Sequence, residues 1–262
     1  MTLLPLWALA AAVLLSALFA LWLLSLRLRD ASIIDLFWGA GFLTAAALGA
    51  ALGAGAQPRP LLLLALVSAW AVRLTWHLFR RNWGKGEDPR YRKWREEVGD
   101  RFAWVSLYKV FGLQGLIMVL LLAPLLVAAT GPAPAGLTPL DWAGAALWAV
   151  GLTFEAVGDR QLARFRSDPA NRGRVLRSGL WRYTRHPNYF GDAVVWWGFG
   201  LLALSAPGAW WTLYSPILMT LLLRYVSGVT LLEQSLVKNR PGYAHYLETT
   251  SPFFPWLPRS GR

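Results

Sequence analysis

Polar side chains set inside apolar runs carry the first chemical signal in this chain. Asp35, Arg73, His77, Glu155, Asp159, Asn188, Asp192 and Glu233 each stand within or at the edge of a hydrophobic stretch, where an isolated charge is costly and ordinarily faces a partner or a wet cavity. Their spacing is helical. Glu155, Asp159 and Arg166 fall at i, i+4 and i+11, Trp70, Arg73, His77 and Arg80 form a second stripe, and Asn188, Asp192 and Trp196 a third. Stripes of this kind on several helices predict a shared polar cavity near one face of a membrane. The alternative reading of the same residues is inter-helix pairing, Asp159 with an arginine and Arg73 with Asp35, without a ligand.

The elements that must position these groups are membrane helices. The 262 residues are 56% hydrophobic, include 16 Trp and have a positive mean hydropathy, and the apolar residues come in long blocks, a composition foreign to an ordinary soluble domain. Crossing hydrocarbon takes roughly 20 apolar residues, and the blocks predict an all-α integral membrane protein with seven transmembrane helices near residues 3–26, 31–56, 61–79, 105–129, 140–164, 188–206 and 210–237. The first lacks a basic stretch before its apolar part and a small-residue cleavage site after it, so it reads as a retained helix. QPRP at 57–60 and GPAPAG at 131–136 punctuate two joints. No internal repeat stands out, and residues 1–262 read as one transmembrane domain.

The formal charge of +12 is placed by topology. Lys and Arg number 26, and 21 of them fall in 27–29, 80–104, 164–187 and after 237, segments that share one side of a seven-helix chain; the opposite loops carry only Arg59. This is the positive-inside pattern, which puts the amino terminus outside and the carboxyl terminus in the cytoplasm. Attraction to anionic membrane lipid accounts for much of the charge, and nucleic acid is not implied as a partner. Residues 164–187 ask for more, with seven Arg against one acid, Asp168. Arg182, Arg185 and His186 stand immediately before Pro187, where a helix start supplies free N–H groups, and guanidinium forks suit phosphate. A cytosolic nucleotide cofactor is the expected anion. Cys is absent, which excludes disulfides, thiolate nucleophiles and Cys-ligated metal. His186 and His245 have no carboxylate or His at ligand spacing, so no metal site is read.

Four segments together carry a family resemblance: GLWRYTRHPNYFGDAVVWWG at 179–198, GDRQLARFR at 158–166, GKGEDPRYRKWRE at 84–96 and YLETTSPFFPW at 246–256. The chain resembles bacterial membrane proteins of unknown function grouped with the steroid 5α-reductases. That resemblance implies a seven-helix protein of the bacterial inner membrane that holds NADPH on its cytosolic side and reduces a carbon–carbon double bond conjugated to a carbonyl in a lipid-like substrate. It carries Asp159 and Arg166 over as polar cofactor contacts, Asn188 and Asp192 as the family's Asn and acidic residue in NYFGD, Trp196 as the aromatic four residues on, and Arg73 as an Arg of the third helix. No G-x-G-x-x-G follows a strand signal, so a Rossmann site is excluded.

Hydride addition to an enone drives negative charge onto the carbonyl oxygen, and the site then needs a proton or hydrogen-bond donor there. Asp35 in SIIDLFWG is the candidate donor, with a helix-packing acid paired to Arg73 as the other reading. Where the steroid reductases carry a Tyr three residues before the third-helix Arg, this chain has Trp70, which donates a hydrogen bond but no proton; His77, one turn beyond Arg73, is the substitute. RHPNYFG is also similar to the R-H-P-x-Y-x-G element of membrane isoprenylcysteine and phospholipid methyltransferases, which implies S-adenosylmethionine as an alternative cofactor, with Glu233, Tyr243 and Tyr246 accompanying it. A non-catalytic lipid-binding protein is the third reading. Tyr243, Tyr246, Phe253, Phe254 and Trp256 are expected at the cytoplasmic interface or as a tail folded over the cofactor.

Overall fold

A computed structural model describes residues 1–53, 57–132, 136–226, 229, 233, 236–237 and 240–259. They fall into two compact units, Met1–Asp141 with Leu202–Thr212, and Trp142–Leu201 with Leu213–Arg262. All the regular elements among the described residues are helical.

The first unit is built on α1 (Leu3–Leu28), α2 (Ile33–Leu52) and α3 (Pro58–Asn82). A shorter α4 (Pro89–Val98) leads into α5 (Phe102–Ser106), a π-helical turn at Leu107–Gly112, α6 (Leu113–Leu121) and α7 (Ala123–Thr130). Four stretches of the described residues are long and apolar enough to cross a membrane: Leu3–Leu28, Ile33–Leu52, Pro58–Asn82 and Pro89–Thr130. The core of this unit includes Phe42, Leu63, Val67, Trp70 and Met118. Helices α2 and α3 approach closely because Gly39 has no side chain: a Cβ there would sit 2.8 Å from the Ala71 carbonyl oxygen. Arg59, the lone basic residue of the sparsely charged loops, is fully buried against Asp141, Nε to Oδ1 at 2.8 Å. Thr138 donates to the same carboxylate from its backbone N–H, at 2.7 Å, and from its hydroxyl, at 2.8 Å.

In the second unit the principal helices are α8 (Pro139–Ser167) and α9 (Pro187–Leu204), apart from their outer ends. They touch backbone to backbone along a row of glycines. A Cβ on Gly191 would lie 2.4 Å from Glu155 N, one on Gly151 2.5 Å from Val195 N, and one on Gly198 2.8 Å from Gly144 O. Small residues of this kind let membrane helices close to full van der Waals contact where no hydrophobic drive separates helix from lipid. The chain continues through α10 (Tyr214–Leu221) and a π-helical turn at Leu222–Val226, and α11 (Tyr243–Thr249) precedes an extended tail.

Six of the expected helices are present near their predicted places, with α2 ending at Leu52 rather than 56 and α3 beginning at Pro58 rather than 61. α8 and α9 form as helices, and they are not among the four stretches apolar enough to cross on composition alone. The predicted 210–237 helix is observed to Val226, and most of 227–239 lies outside the described residues, as do 133–135 of the GPAPAG joint. One helix outside the seven expected is α4. Asp88 caps it, its side chain accepting from Arg90 N at 2.9 Å, and Pro89 occupies the first turn, a local start signal.

Two stability outcomes follow from these contacts. Gly191→Leu places a branched side chain where no atom fits and should lower the thermal midpoint of the detergent-purified protein more than Gly136→Leu, a glycine with open space around it. Arg59→Ala leaves Asp141 as a buried, unpaired charge and should cost about 3 kcal/mol, read from unfolding by denaturant, whereas Arg59→Met with Asp141→Leu should recover most of that loss.

Candidate functional site

The glycine seam fixes the first polar pair. Gly158 lets α8 run within contact of the start of α9, where a Cβ would lie 3.1 Å from Asn188 N. The loop ahead of α9 is pinned to the same helix, with Trp181 Nε1 donating to the Gly158 carbonyl at 3.1 Å and Leu180 N–H donating to Gln161 Oε1 at 3.0 Å. Asn188 Nδ2 then donates to Asp159 Oδ1 at 3.1 Å, while Asn188 Oδ1 is buried with no hydrogen-bond partner. Such an orphan acceptor costs free energy unless a ligand or water meets it. Asp192 and Trp196 continue the stripe along α9, Asp192 half-buried and Trp196 fully buried with Phe199 edge-on at 5.8 Å.

A second cluster lies just before α9. Arg185 donates Nε and Nη2 to the two oxygens of Glu233, at 2.7 and 3.1 Å, and Nη1 to the carbonyls of Leu247 and Thr250, at 2.9 and 2.6 Å. His186 places Nε2 3.0 Å from the same Glu233 oxygen and stacks on Tyr189 at 5.7 Å. Burial pushes the His186 imidazole below its ordinary pKa, against the opposing pull of Glu233, so the neutral ring is favoured. Burial likewise raises the phenols of Tyr243 and Tyr246. The tail closes over this cluster: Arg185 N–H donates to Ser251 O at 2.9 Å, Thr184 Oγ1 to Phe253 O at 2.7 Å, and Trp256 N–H to Tyr183 O at 2.9 Å.

Beside the cluster is a cleft with a cavity volume of about 60 Å³, open in part to solvent. Phe165, Arg166, Arg174, Trp181, Arg240 and Tyr243 line it together with Arg185 and His186. Its walls combine flat apolar faces with guanidinium groups, the two features a nucleotide uses through its base and its phosphates. Arg240 Nη1 donates to the Arg174 carbonyl at 2.6 Å, which draws the two sides of the cleft together.

In the first unit Asp35 is held by a directed chain. Trp38 Nε1 donates to Gln114 Oε1 at 2.7 Å, which turns the Gln114 amide nitrogen toward Tyr91 Oη at 3.2 Å, and the Tyr91 hydroxyl donates to Asp35 Oδ1 at 3.1 Å. Arg90 Nη2 reaches Asp35 Oδ2 at 3.4 Å. Next to it, Glu87 receives Arg95 through two bonds of 2.9 and 2.7 Å and the Ala31 N–H at 2.8 Å. Burial alone would raise the Glu87 carboxyl, but these donors and the nearby Arg92 hold it below its ordinary value.

The sequence-predicted residues thus distribute over both units. Asp35, Trp70, Arg73 and His77 belong to the first, and Asp159, Arg166, Arg182, Arg185, His186, Asn188, Asp192 and Trp196 to the second. Within the second, Asp159 and Asn188 meet, and Arg166, Arg185 and His186 share one cleft, whereas Arg182 is exposed and does not line it. Asp35 takes Arg90 and Tyr91 as partners rather than Arg73. Trp70 is a buried packing residue against Phe42, at 6.0 Å, and His77 is half-buried on α3. Arg185 spends its donors on Glu233 and the tail, and His186 favours its neutral form, so neither stands as a free cation. Tyr91, Gln114, Trp181 and Gln161 were not singled out by spacing. Tyr91 lies in the quoted EDPRY stretch, and the Asp88–Pro89 helix start was the signal that would have put it on a helix facing Asp35.

An uncharacterized protein of Schizosaccharomyces pombe is 26% identical over 233 residues, 79% of this chain and 66% of that protein. The 3-oxo-5-alpha-steroid 4-dehydrogenase 1 of Rattus norvegicus is 36% identical over 86 residues, 33% of this chain and 32% of the enzyme, and that of Mus musculus 34% identical over 77 residues, 29% and 30%. The chain therefore spans about two thirds of the yeast protein and about a third of each mammalian enzyme. No solved structure matches. Residues 21–250 match the family described as Protein of unknown function (DUF1295), and the chain belongs to that family, a relative of the steroid 5α-reductases.

Proposed function

We propose that this protein is a membrane reductase that uses NADPH to reduce a carbon–carbon double bond conjugated to a carbonyl in a steroid-like or other lipid substrate. The observation that carries the reading is the arginine-and-aromatic cleft beside α8 and α9, in a chain related to the steroid 5α-reductases. In this reading seven helices span the membrane, with the amino terminus outside and the cleft facing the cytoplasm, where the basic loops gather. NADPH, when bound, supplies the hydride.

The residues of this chain supply recognition and proton placement. Arg166, Arg174 and Arg240 offer guanidinium groups to the phosphates, and Phe165, Trp181 and Tyr243 offer faces to the base. The Asn188 carboxamide oxygen, buried and lacking a partner, is set to accept from a ribose hydroxyl or the nicotinamide amide, and its nitrogen is already committed to Asp159. In the chain of bonds that ends at Asp35, the proton-bearing group is Tyr91, whose oxygen accepts from Gln114 and whose hydrogen points to Asp35. The donor role proposed for Asp35 is therefore carried by the Asp35–Tyr91 pair, and Tyr91 supplies the phenol that Trp70 does not.

Titration of the purified protein with NADPH, NADH and S-adenosylmethionine, read by calorimetry, tests the reading: NADPH should bind tightest, and binding of S-adenosylmethionine alone would overturn it. Asn188→Ala should weaken NADPH by about tenfold, the cost of one lost hydrogen bond with its buried partner left behind, with the thermal midpoint little changed. Tyr91→Phe and Asp35→Asn should each leave NADPH affinity intact and lower enone-dependent NADPH oxidation at least tenfold, toward the lower end of what one proton-transferring group contributes. Undiminished oxidation in Tyr91→Phe would remove the pair from the reaction.

A further inference from the structure

His186 carries information about the ligand that its charge does not. It is almost completely buried and lines the cleft. One ring nitrogen is committed: Nε2 lies 3.0 Å from Glu233 Oε1, the oxygen that also accepts Arg185 Nε at 2.7 Å. Glu233 pairs with Arg185 through both oxygens, which holds it as a carboxylate, and a carboxylate oxygen only accepts. The hydrogen must therefore be on His186 Nε2. The second nitrogen, Nδ1, is buried with no hydrogen-bond partner. In a neutral ring with its hydrogen on Nε2, Nδ1 is a bare acceptor.

From this geometry we infer that His186 presents Nδ1 as a fixed acceptor to the cleft, and that it takes a hydroxyl or N–H donor of the adenosine part of the bound nucleotide rather than a phosphate. Orphaned acceptors at buried positions call for a partner that arrives with a ligand or an ordered water. A phosphate offers acceptors only and would face lone pair to lone pair. Adenosine offers ribose hydroxyls and an exocyclic amine, and both NADPH and S-adenosylmethionine contain it. The Glu233–Arg185 pair thereby does two things: it neutralises the charge that would otherwise attract phosphate, and it orients the imidazole so that its acceptor is available. The charged groups acting on the ring are Glu233, Arg185 and Arg224, and Tyr189 stacks on its face. This inference rests on the nucleotide reading of the cleft, but not on which nucleotide it is.

The tautomer is measurable without any ligand. Long-range proton–nitrogen correlation on the protein with 15N-labelled histidine, assigned by the signals lost in His186→Gln, should show Nε2 protonated and Nδ1 bare at neutral pH; an imidazolium, or a hydrogen on Nδ1, overturns the inference. His186→Gln keeps an N–H aimed at Glu233, while its one acceptor, Oε1, is displaced from the position of Nδ1. It should therefore retain the wild-type thermal midpoint while weakening NADPH or S-adenosylmethionine, whichever the wild type binds, by about tenfold. Inorganic pyrophosphate, which has neither ribose nor adenine, should bind wild type and variant equally. Equal nucleotide affinity in the two proteins, or an equal loss of pyrophosphate, overturns it. S-adenosylmethionine binding that depends on His186 would sustain this inference while overturning the reductase reading; no binding of either nucleotide overturns both.

Below its ordinary pKa near 6.5, an unfolded His186 takes a proton that the folded one resists. The linked stability is present above about pH 6.5 and declines as the pH falls below it. Nucleotide affinity in wild type should fall at the lower pH at which the folded ring takes a proton on Nδ1, and the Gln variant should lack that dependence.

Discussion

Backbone contact between α8 and α9 is the constraint on which the second unit depends. Gly144, Gly151 and Gly158 recur every seven residues along α8, and they meet Gly198, Gly191 and the start of α9 in antiparallel order. With a Cβ excluded at each crossing, the two helices have one register, and a register fixes which side chains face each other. Asp159 follows Gly158 and Asn188 precedes Gly191, so the polar pair is a consequence of the seam and not an independent attraction. An Asn–Asp hydrogen bond alone is too weak to align two helices, since such bonds across membrane helices are worth about 0.6 kcal/mol on average. Packing places the pair, and the pair then offers its leftover acceptor.

The basic loop before α9 looks, in one dimension, like a row of cations for phosphate. Folding sorts that row into two classes. Arg185 is enclosed by a carboxylate and two carbonyls, and four of its five N–H groups are used. A guanidinium in that state works as a structural tie, and removing it would leave Glu233 uncompensated. Arg174 is exposed beside the cleft, where its head keeps its hydration, while half-buried Arg240 commits Nη1 to the Arg174 carbonyl. Net charge thus overstates the number of cations the segment leaves free, since the buried part of it is spent on internal pairing.

Much of this organisation was legible because its causes are local. Helices α1 to α3 follow from apolar length, α9 from Pro187 and the run behind it, and the 188, 192, 196 stripe from helical periodicity. What escaped has non-local causes. That Asp35 meets Tyr91 depends on a fold bringing residues 56 positions apart together, and no spacing rule reports such a contact. That Arg185 meets Glu233 and the tail depends on contacts 48 to 65 positions away. α4 was missed for a different reason: its first turn is charged and its apolar face is narrow, so hydropathy reads a loop, while the Asp88–Pro89 cap that starts it is a signal of two residues.

The tail shows how these non-local contacts act together. Tyr246 donates to the Trp181 carbonyl, Phe253 is buried against Phe190 at 6.0 Å, and the strand of backbone from Ser251 to Trp256 bonds to residues 183–185. Each bond satisfies a group in the loop ahead of α9 that lies outside any helix, where no ladder would do so. Because Thr184, Arg185 and His186 are held by the tail and by Glu233 as well as by their own neighbours, the conformation of the arginine-rich motif depends on residues that lack its chemistry. Phe254 and Trp256, by contrast, remain exposed, as rings at a membrane interface do. The same short segment therefore turns two rings outward and closes inward on the loop that carries Arg185 and His186.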